Sequence, residues 1–279
     1  MQAVRLLPIM AAAIVPISSA PASGSPRPGD PLLVPEGYSE VWSEDFSSRL
    51  TPSAERWHWD THRNRLGWYN NELQYYSRQS GSNARIENGR LVIEARYEDW
   101  GQAHPRDWAG QNYSSARLTT RGKARWKNGF FEVRAKLPCT RGAWPAIWLL
   151  PDTHSGHWYG GEIDLAEWVA QSPATVHHAL HTPDRNFRNG NPFEATSPLA
   201  GCEAFHDYQA LWTPEFVAVG VDGKTALVAP GKPFDRPMSL ILNVAIGGHW
   251  AGSLGVDNSA LPAQMEVEQV RVWQRDGSQ

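Results

Sequence analysis

From about Tyr38 onward, apolar and polar positions alternate along the chain with a period of two. Leu91, Ile93 and Ala95 alternate with Val92, Glu94 and Arg96, and Phe131, Val133, Ala135 and Leu137 alternate with Glu132, Arg134 and Lys136. Successive side chains of a strand point to opposite faces, so this pattern predicts sheets with one covered and one wet face. The run from Phe216 to Val221 ends at Asp222-Gly223, a pair suited to the tight turn of a β-hairpin. No segment sustains a helical period, and no internal repeat is visible. The expected architecture is all-β: a single β-sandwich domain over residues 36–279.

The N-terminus breaks this pattern. Arg5 precedes an apolar run from Leu6 to Val15, and small residues follow up to Ala20-Pro21-Ala22. That order of basic, apolar and small-residue segments reads as a signal peptide over residues 1–22, and it predicts a secreted protein, extracellular or periplasmic. A buried helix is the competing reading, but Pro8 and Pro16 would interrupt it. Residues 23–35, with prolines at 26, 28, 31 and 35, read as a disordered lead-in. No other apolar run is long enough to span a bilayer.

Composition sharpens the picture in three ways. The chain has 14 Trp, 8 Tyr, 24 Gly and 21 Pro, a mixture of aromatics and turn-formers suited to short strands. Its net charge is −3 with both signs interspersed, which argues against nucleic acid or an anionic membrane as partner. Export permits a disulfide, and the two cysteines are Cys139 and Cys202. A bridge between them would close a long loop, worth about 4 kcal/mol in the chain-entropy model. Two separate buried thiols are the alternative.

The chemistry concentrates in Gly161-Glu162-Ile163-Asp164-Leu165-Ala166-Glu167-Trp168-Val169. Glu162 and Asp164, two apart, share a face of a strand, whereas Glu167 would fall on the opposite one. A β-bulge at Leu165-Ala166 would return Glu167 to the same face. Three clustered carboxylates repel one another, and burial raises their proton affinity further. Glycoside hydrolysis needs such a set, because one carboxylate attacks the anomeric carbon while a second delivers a proton to the departing oxygen. An edge strand whose acids face water, or a metal site built from the same oxygens, is the plainer reading. Ile163, Leu165 and Val169 oppose it by marking the strand as packed on its other side. No transition-metal spacing, phosphate loop or nucleotide fingerprint appears.

At these residues the chain resembles glycoside hydrolase family 16, and within it the bacterial laminarinases, which are endo-β-1,3-glucanases. The ordered matches include Trp42-Ser43-Glu44-Asp45-Phe46, Asn70-Asn71-Glu72-Leu73-Gln74-Tyr75-Tyr76, Ser115-Ala116-Arg117-Leu118-Thr119-Thr120, Trp144-Pro145-Ala146-Ile147-Trp148-Leu149 and Leu242-Asn243-Val244-Ala245-Ile246-Gly247-Gly248. The resemblance implies a β-jelly-roll sandwich with a concave substrate cleft. It also implies a retaining reaction in which Glu162 is the nucleophile, Glu167 the acid and then the base, and Asp164 the group between them. Arg117, with Asn70 or Asn71 nearby, would bind the sugar, and His181 holds a matched position on the next strand. Trp144, Trp148 and Trp250 are candidate platforms for the apolar faces of pyranose rings.

Ala166 is the extra residue that laminarinase-type signatures have and mixed-linkage glucanases lack. It stands where a larger apolar residue is usual, and Trp168 stands where His or Tyr is common. The implied substrate is a β-glucan, cut by a monomer that needs no cofactor for catalysis. The resemblance also implies a structural calcium at Asp45, Gly89 and Glu268, with Glu replacing the usual Asp at 268. A mixed-linkage β-1,3-1,4-glucanase, or a hydrolase of another polysaccharide on this fold, is the nearest rival. A non-catalytic glucan-binding module would have lost the two glutamates, and both are present.

Overall fold

A computed structural model describes residues 24–47, 50–61, 65–67, 69–101, 103–152 and 158–277. The expected signal peptide lies outside these residues. In chain order the strands are β1 (Tyr38–Glu44), β2 (His58–Trp59), β3 (Gln74–Tyr76), β4 (Ala84–Glu87), β5 (Arg90–Tyr97), β6 (Tyr113–Ser115), β7 (Arg117–Thr119), β8 (Gly129–Lys136) and β9 (Ala143–Pro151). They continue with β10 (Glu162–Glu167), β11 (Thr175–His181), β12 (Phe193–Pro198), β13 (His206–Trp212), β14 (Phe216–Val221), β15 (Lys224–Pro230), β16 (Met238–Ile246) and β17 (Ala263–Arg275).

These strands form two sheets. The larger runs β15-β14-β13-β8-β17-β5-β6-β3, with β1 also paired to β17 and β4 to β5. The smaller runs β12-β11-β10-β9-β16-β7-β2 and places the acidic strand β10 between β9 and β11. Sequence neighbours β9 and β10 are adjacent, whereas β16 and β7 arrive from distant parts of the chain, as a jelly roll requires. Between the sheets lies the apolar core. Phe131, Val133 and Ala135 of β8 and Val267, Val270 and Val272 of β17 face Ile163 and Leu165 of β10 and Leu240, Leu242 and Val244 of β16. Burying each of the larger side chains among these stabilises the fold by about 1.5–3 kcal/mol, which is what fixes the outward direction of the alternate, polar positions.

The hairpin expected after Val221 is present: Asp222 and Gly223 both take positive φ, 50° and 75°, and β14 pairs with β15. Cys139 and Cys202 form a disulfide with a Cα–Cα distance of 5.6 Å, tying the segment after β8 to the segment before β13. Among the described residues no helix is long and apolar enough to cross a membrane.

Two expectations need correction. The lead-in is not disordered throughout: Leu32 N–H donates to Gly223 O and Thr225 N–H to Asp30 O, and Leu32 is buried. Its backbone groups pair with the β14–β15 hairpin, a non-local partner that proline content does not reveal. Likewise β5 has no wet face in its middle. Glu94 is 2% exposed and is held there by Arg85, Arg96 and Gln264, because charged neighbours cover it.

Candidate active site

The site begins with a glycine. Gly161 has φ 88°, and a Cβ there would stand 2.3 Å from the Phe234 ring. Only glycine allows the chain this close to Phe234 as it enters β10, so the residue sets where Glu162 starts the strand.

Along β10 the register with β9 runs Asp164↔Trp148 and then Ala166↔Ile147, and with β11 Asp164↔Ala179 and then Glu167↔His177. The shift after Asp164 is the bulge expected at Leu165-Ala166, and both of those side chains point into the core with no exposed surface. Glu162, Asp164 and Glu167 therefore share the outer face. Glu162 keeps 17% side-chain exposure, while Asp164 is 4% exposed overall.

Burial is the largest influence on all three acids and pushes their pKa values above the ordinary carboxylate range. Mutual repulsion adds to it: Glu167 raises Glu162, and both glutamates raise Asp164. Hydrogen bonds oppose these effects at the two glutamates. Trp144 Nε1 donates to Glu167 Oε1 at 3.0 Å, and the polar edge of Trp158 and the charge of Arg117 both favour ionised Glu162. Burial and repulsion thus favour sharing protons among the three acids over carrying three full charges.

Around these acids the structure assembles most of the residues singled out from sequence. Trp144 of β9 meets Trp250 edge-on at 5.3 Å, and Trp250 in turn meets His177 at 4.8 Å. Trp148 donates to Asn243 Oδ1 at 2.8 Å and lies under the Arg117 guanidinium at 4.9 Å, with Arg117 anchored to Asp60 at 3.1 Å. His181 Nε2 is 3.5 Å from Asp164 Oδ2 and 4.0 Å from Glu162 Oε1. Burial lowers the His181 pKa to about 4, so its imidazole is neutral. Asn70, at φ 50°, accepts His249 N–H on its carbonyl, which joins its loop to the one carrying Trp250. Asn71 behaves differently, since its Oδ1 turns back over Gly67.

Three residues were not singled out by sequence reasoning. Trp158 favours ionised Glu162 from the turn just upstream, and its place four residues before the first glutamate was an available signal. Glu72 accepts from Gln74 at 2.7 Å and Asn70 at 3.3 Å, and its charge raises Glu167. Tyr69 has its phenol pKa raised to about 12, chiefly by burial and then by Glu162. The signal for the last two was weak, because only the fold brings that segment to β10.

The calcium expectation does not fit. Glu268 Oε1 is 3.3 Å from Arg90 and Oε2 is 2.8 Å from Arg134, and Asp45 turns onto Ser47. Two guanidinium groups already satisfy the carboxylate that would bind the ion, and their charge opposes a divalent cation. As arranged, Asp45, Gly89 and Glu268 do not suit the ion.

The family Glycosyl hydrolases family 16 matches residues 69–270. A beta-glucanase from Rhodothermus marinus is 42% identical over 251 residues, 84% of each chain. A glucan endo-1,3-beta-glucosidase from Cryptopygus antarcticus is 34% identical over 254 residues, covering 83% of this chain and 90% of its own. Among solved structures, SCLam, a non-specific endo-beta-1,3(4)-glucanase, superposes with a TM-score of 0.84 at 44% identity, over 89% of this chain and 96% of its own.

Proposed function

The chain belongs to glycosyl hydrolase family 16, and from that premise we propose that it is a secreted endo-β-1,3-glucanase working by double displacement. The observation that carries the mechanism is the bulge in β10, which sets Glu162 and Glu167 on one face, with the Trp144 N–H donated to Glu167.

In the first step the Glu162 carboxylate attacks the anomeric carbon as the Glu167 carboxyl gives its proton to the departing glycosidic oxygen. A covalent glycosyl ester and a shortened glucan result. In the second step Glu167, now a carboxylate, takes a proton from water while the water oxygen attacks the same carbon and expels Glu162. Two inversions restore the β configuration. Asp164 lies between the glutamates, and the charges of both raise its proton affinity. Burial and mutual repulsion raise the proton affinity of both glutamates, so the pair can hold one proton while the other ionises, and double displacement gives that proton to Glu167 in the first step. Arg117 and Trp148, and, nearer Glu167, Trp144, Trp250 and Asn70, are the groups to grip the sugar chain.

The relatives support a β-1,3-glucan as substrate, and SCLam, with its β-1,3(4) activity, keeps mixed-linkage glucan as the second reading. The test is reducing-sugar release from laminarin, barley mixed-linkage glucan and agarose, with Glu162→Gln as control. Laminarin cleavage that vanishes in the variant supports the reading, and intact laminarin with wild-type protein overturns it. NMR of early products reads the stereochemistry, where initial release of the α-anomer would exclude double displacement.

A further inference from the structure

Asp164 is buried, yet its Oδ2 has no hydrogen-bond partner among the described residues, and neither has His181 Nδ1. A buried oxygen of this kind is ordinarily satisfied by protein or by a bound species. Oδ2 points toward His181 Nε2 at 3.5 Å, and the same nitrogen lies 4.0 Å from Glu162 Oε1. All three donor atoms fall within 4.8 Å of one another. They come from two paired strands, with Glu162 and Asp164 on β10 and His181 directly opposite Glu162 on β11.

We propose that Glu162, Asp164 and His181 form a site for a borderline divalent transition-metal ion, Zn²⁺ or Cu²⁺, whose occupancy switches the enzyme off. Two carboxylate oxygens and one imidazole nitrogen suit these ions, whereas Ca²⁺ and Mg²⁺ prefer oxygen alone. Three protein ligands with a fourth position open toward the cleft is a common zinc arrangement. Donors held by one tetrahedral zinc at ~2.0–2.2 Å stand about 3.4 Å apart, so Asp164 and His181 at 3.5 Å already have that separation, and the Glu162 carboxylate, 4.0 Å from His181, would swing in to join them. The neighbouring histidines compete poorly: His178 is engaged by Leu165 O and Ser197 Oγ, and His177 by Ser172 Oγ. Silencing follows because a Glu162 oxygen bound to the ion has lost the lone pair that would attack the sugar.

The binding arm does not depend on what the enzyme cuts; only the silencing rests on Glu162 as nucleophile. Calorimetric titration of Zn²⁺ into the full chain, in a non-coordinating buffer, should find one ion per chain, released by EDTA. His181→Gln and Asp164→Asn, each checked for native melting, should each weaken binding at least tenfold. X-ray absorption of the zinc-loaded wild type, which needs no variant, should count one imidazole among its ligands. Absence of binding, unchanged affinity in both variants, or zero or two imidazoles would overturn the site. Laminarin hydrolysis should fall in step with occupancy and return with EDTA, and full activity at saturating Zn²⁺ would overturn the switch while leaving the substrate reading intact.

Discussion

Two groups of three acids sit on the two sheets, and they are treated in opposite ways. On the larger sheet, Asp207, Glu266 and Glu268 are interleaved with Arg90, Arg134 and Lys136, and Phe205 lies beneath all three cations. On the smaller sheet, Glu162, Asp164 and Glu167 are more deeply buried, and their nearest polar partners are indole edges and a neutral imidazole. The first cluster is neutralised and partly wet, so each pair contributes little to stability and has no chemical use. The second has no cation paired with it and shares protons instead, a costly arrangement that persists where proton transfer and nucleophilic attack need it. Acid content alone does not mark a site; the absence of cations around buried acids does.

Removing charge from each cluster should break this contrast most clearly. Glu162→Gln should lower kcat by about 10⁴-fold or more, as expected when a nucleophile is lost, while its melting temperature does not fall, because one repelling buried acid has gone. A melting temperature well below wild type would mean that the acidic cluster is structural after all.

His178 gives the next largest effect. Burial lowers its pKa to about 4 from 6.5. Between those values the unfolded chain binds the proton and the folded chain does not, so the stability tied to this group is present above pH 6.5 and lost as pH falls toward 4. Full loss amounts to about 3 kcal/mol. Urea melts at pH 7 and pH 4.5 should show a smaller acid-induced drop in His178→Gln than in wild type; equal drops would mean that His178 titrates normally.

Trp144→Phe keeps the ring but deletes the N–H that Glu167 accepts. Hydrogen bonds to charged groups are worth about 1.5–3 kcal/mol, so kcat/KM on laminarin should fall by about 10- to 100-fold. An unchanged rate would show that the bond does not help Glu167.

Glu268→Gln should cost under about 1 kcal/mol in stability and leave activity unaltered, since its partners are half-exposed. EDTA should leave the wild-type melting temperature where it is, and a clear fall would restore the calcium that Arg90 and Arg134 argue against.

Much of the fold was legible in local pattern. Alternation at Phe131, Val133 and Ala135 marks the core face of β8, and Asp222-Gly223 marks the hairpin between β14 and β15. The bulge could be inferred by counting, since five residues separate Glu162 from Glu167 and a single face must hold both. The buried face of β5 was not legible, because Arg85, which covers Glu94, and Gln264 belong to other strands. The order at Leu32 escaped notice for the same reason.

The sequence by itself determined which side chains share a face, which residues can bend the chain, and that three acids stand in one row, since strand periodicity is a property of neighbours along the chain. Tertiary structure alone decided what those acids meet. Glu72 and Tyr69 reach the glutamates from a distant segment, and Arg90 and Arg134 claim Glu268 from strands far from it in sequence. Proton affinity and ligand capacity depend on the distance to such partners and on the exclusion of water, and both are set only when separate strands pack together.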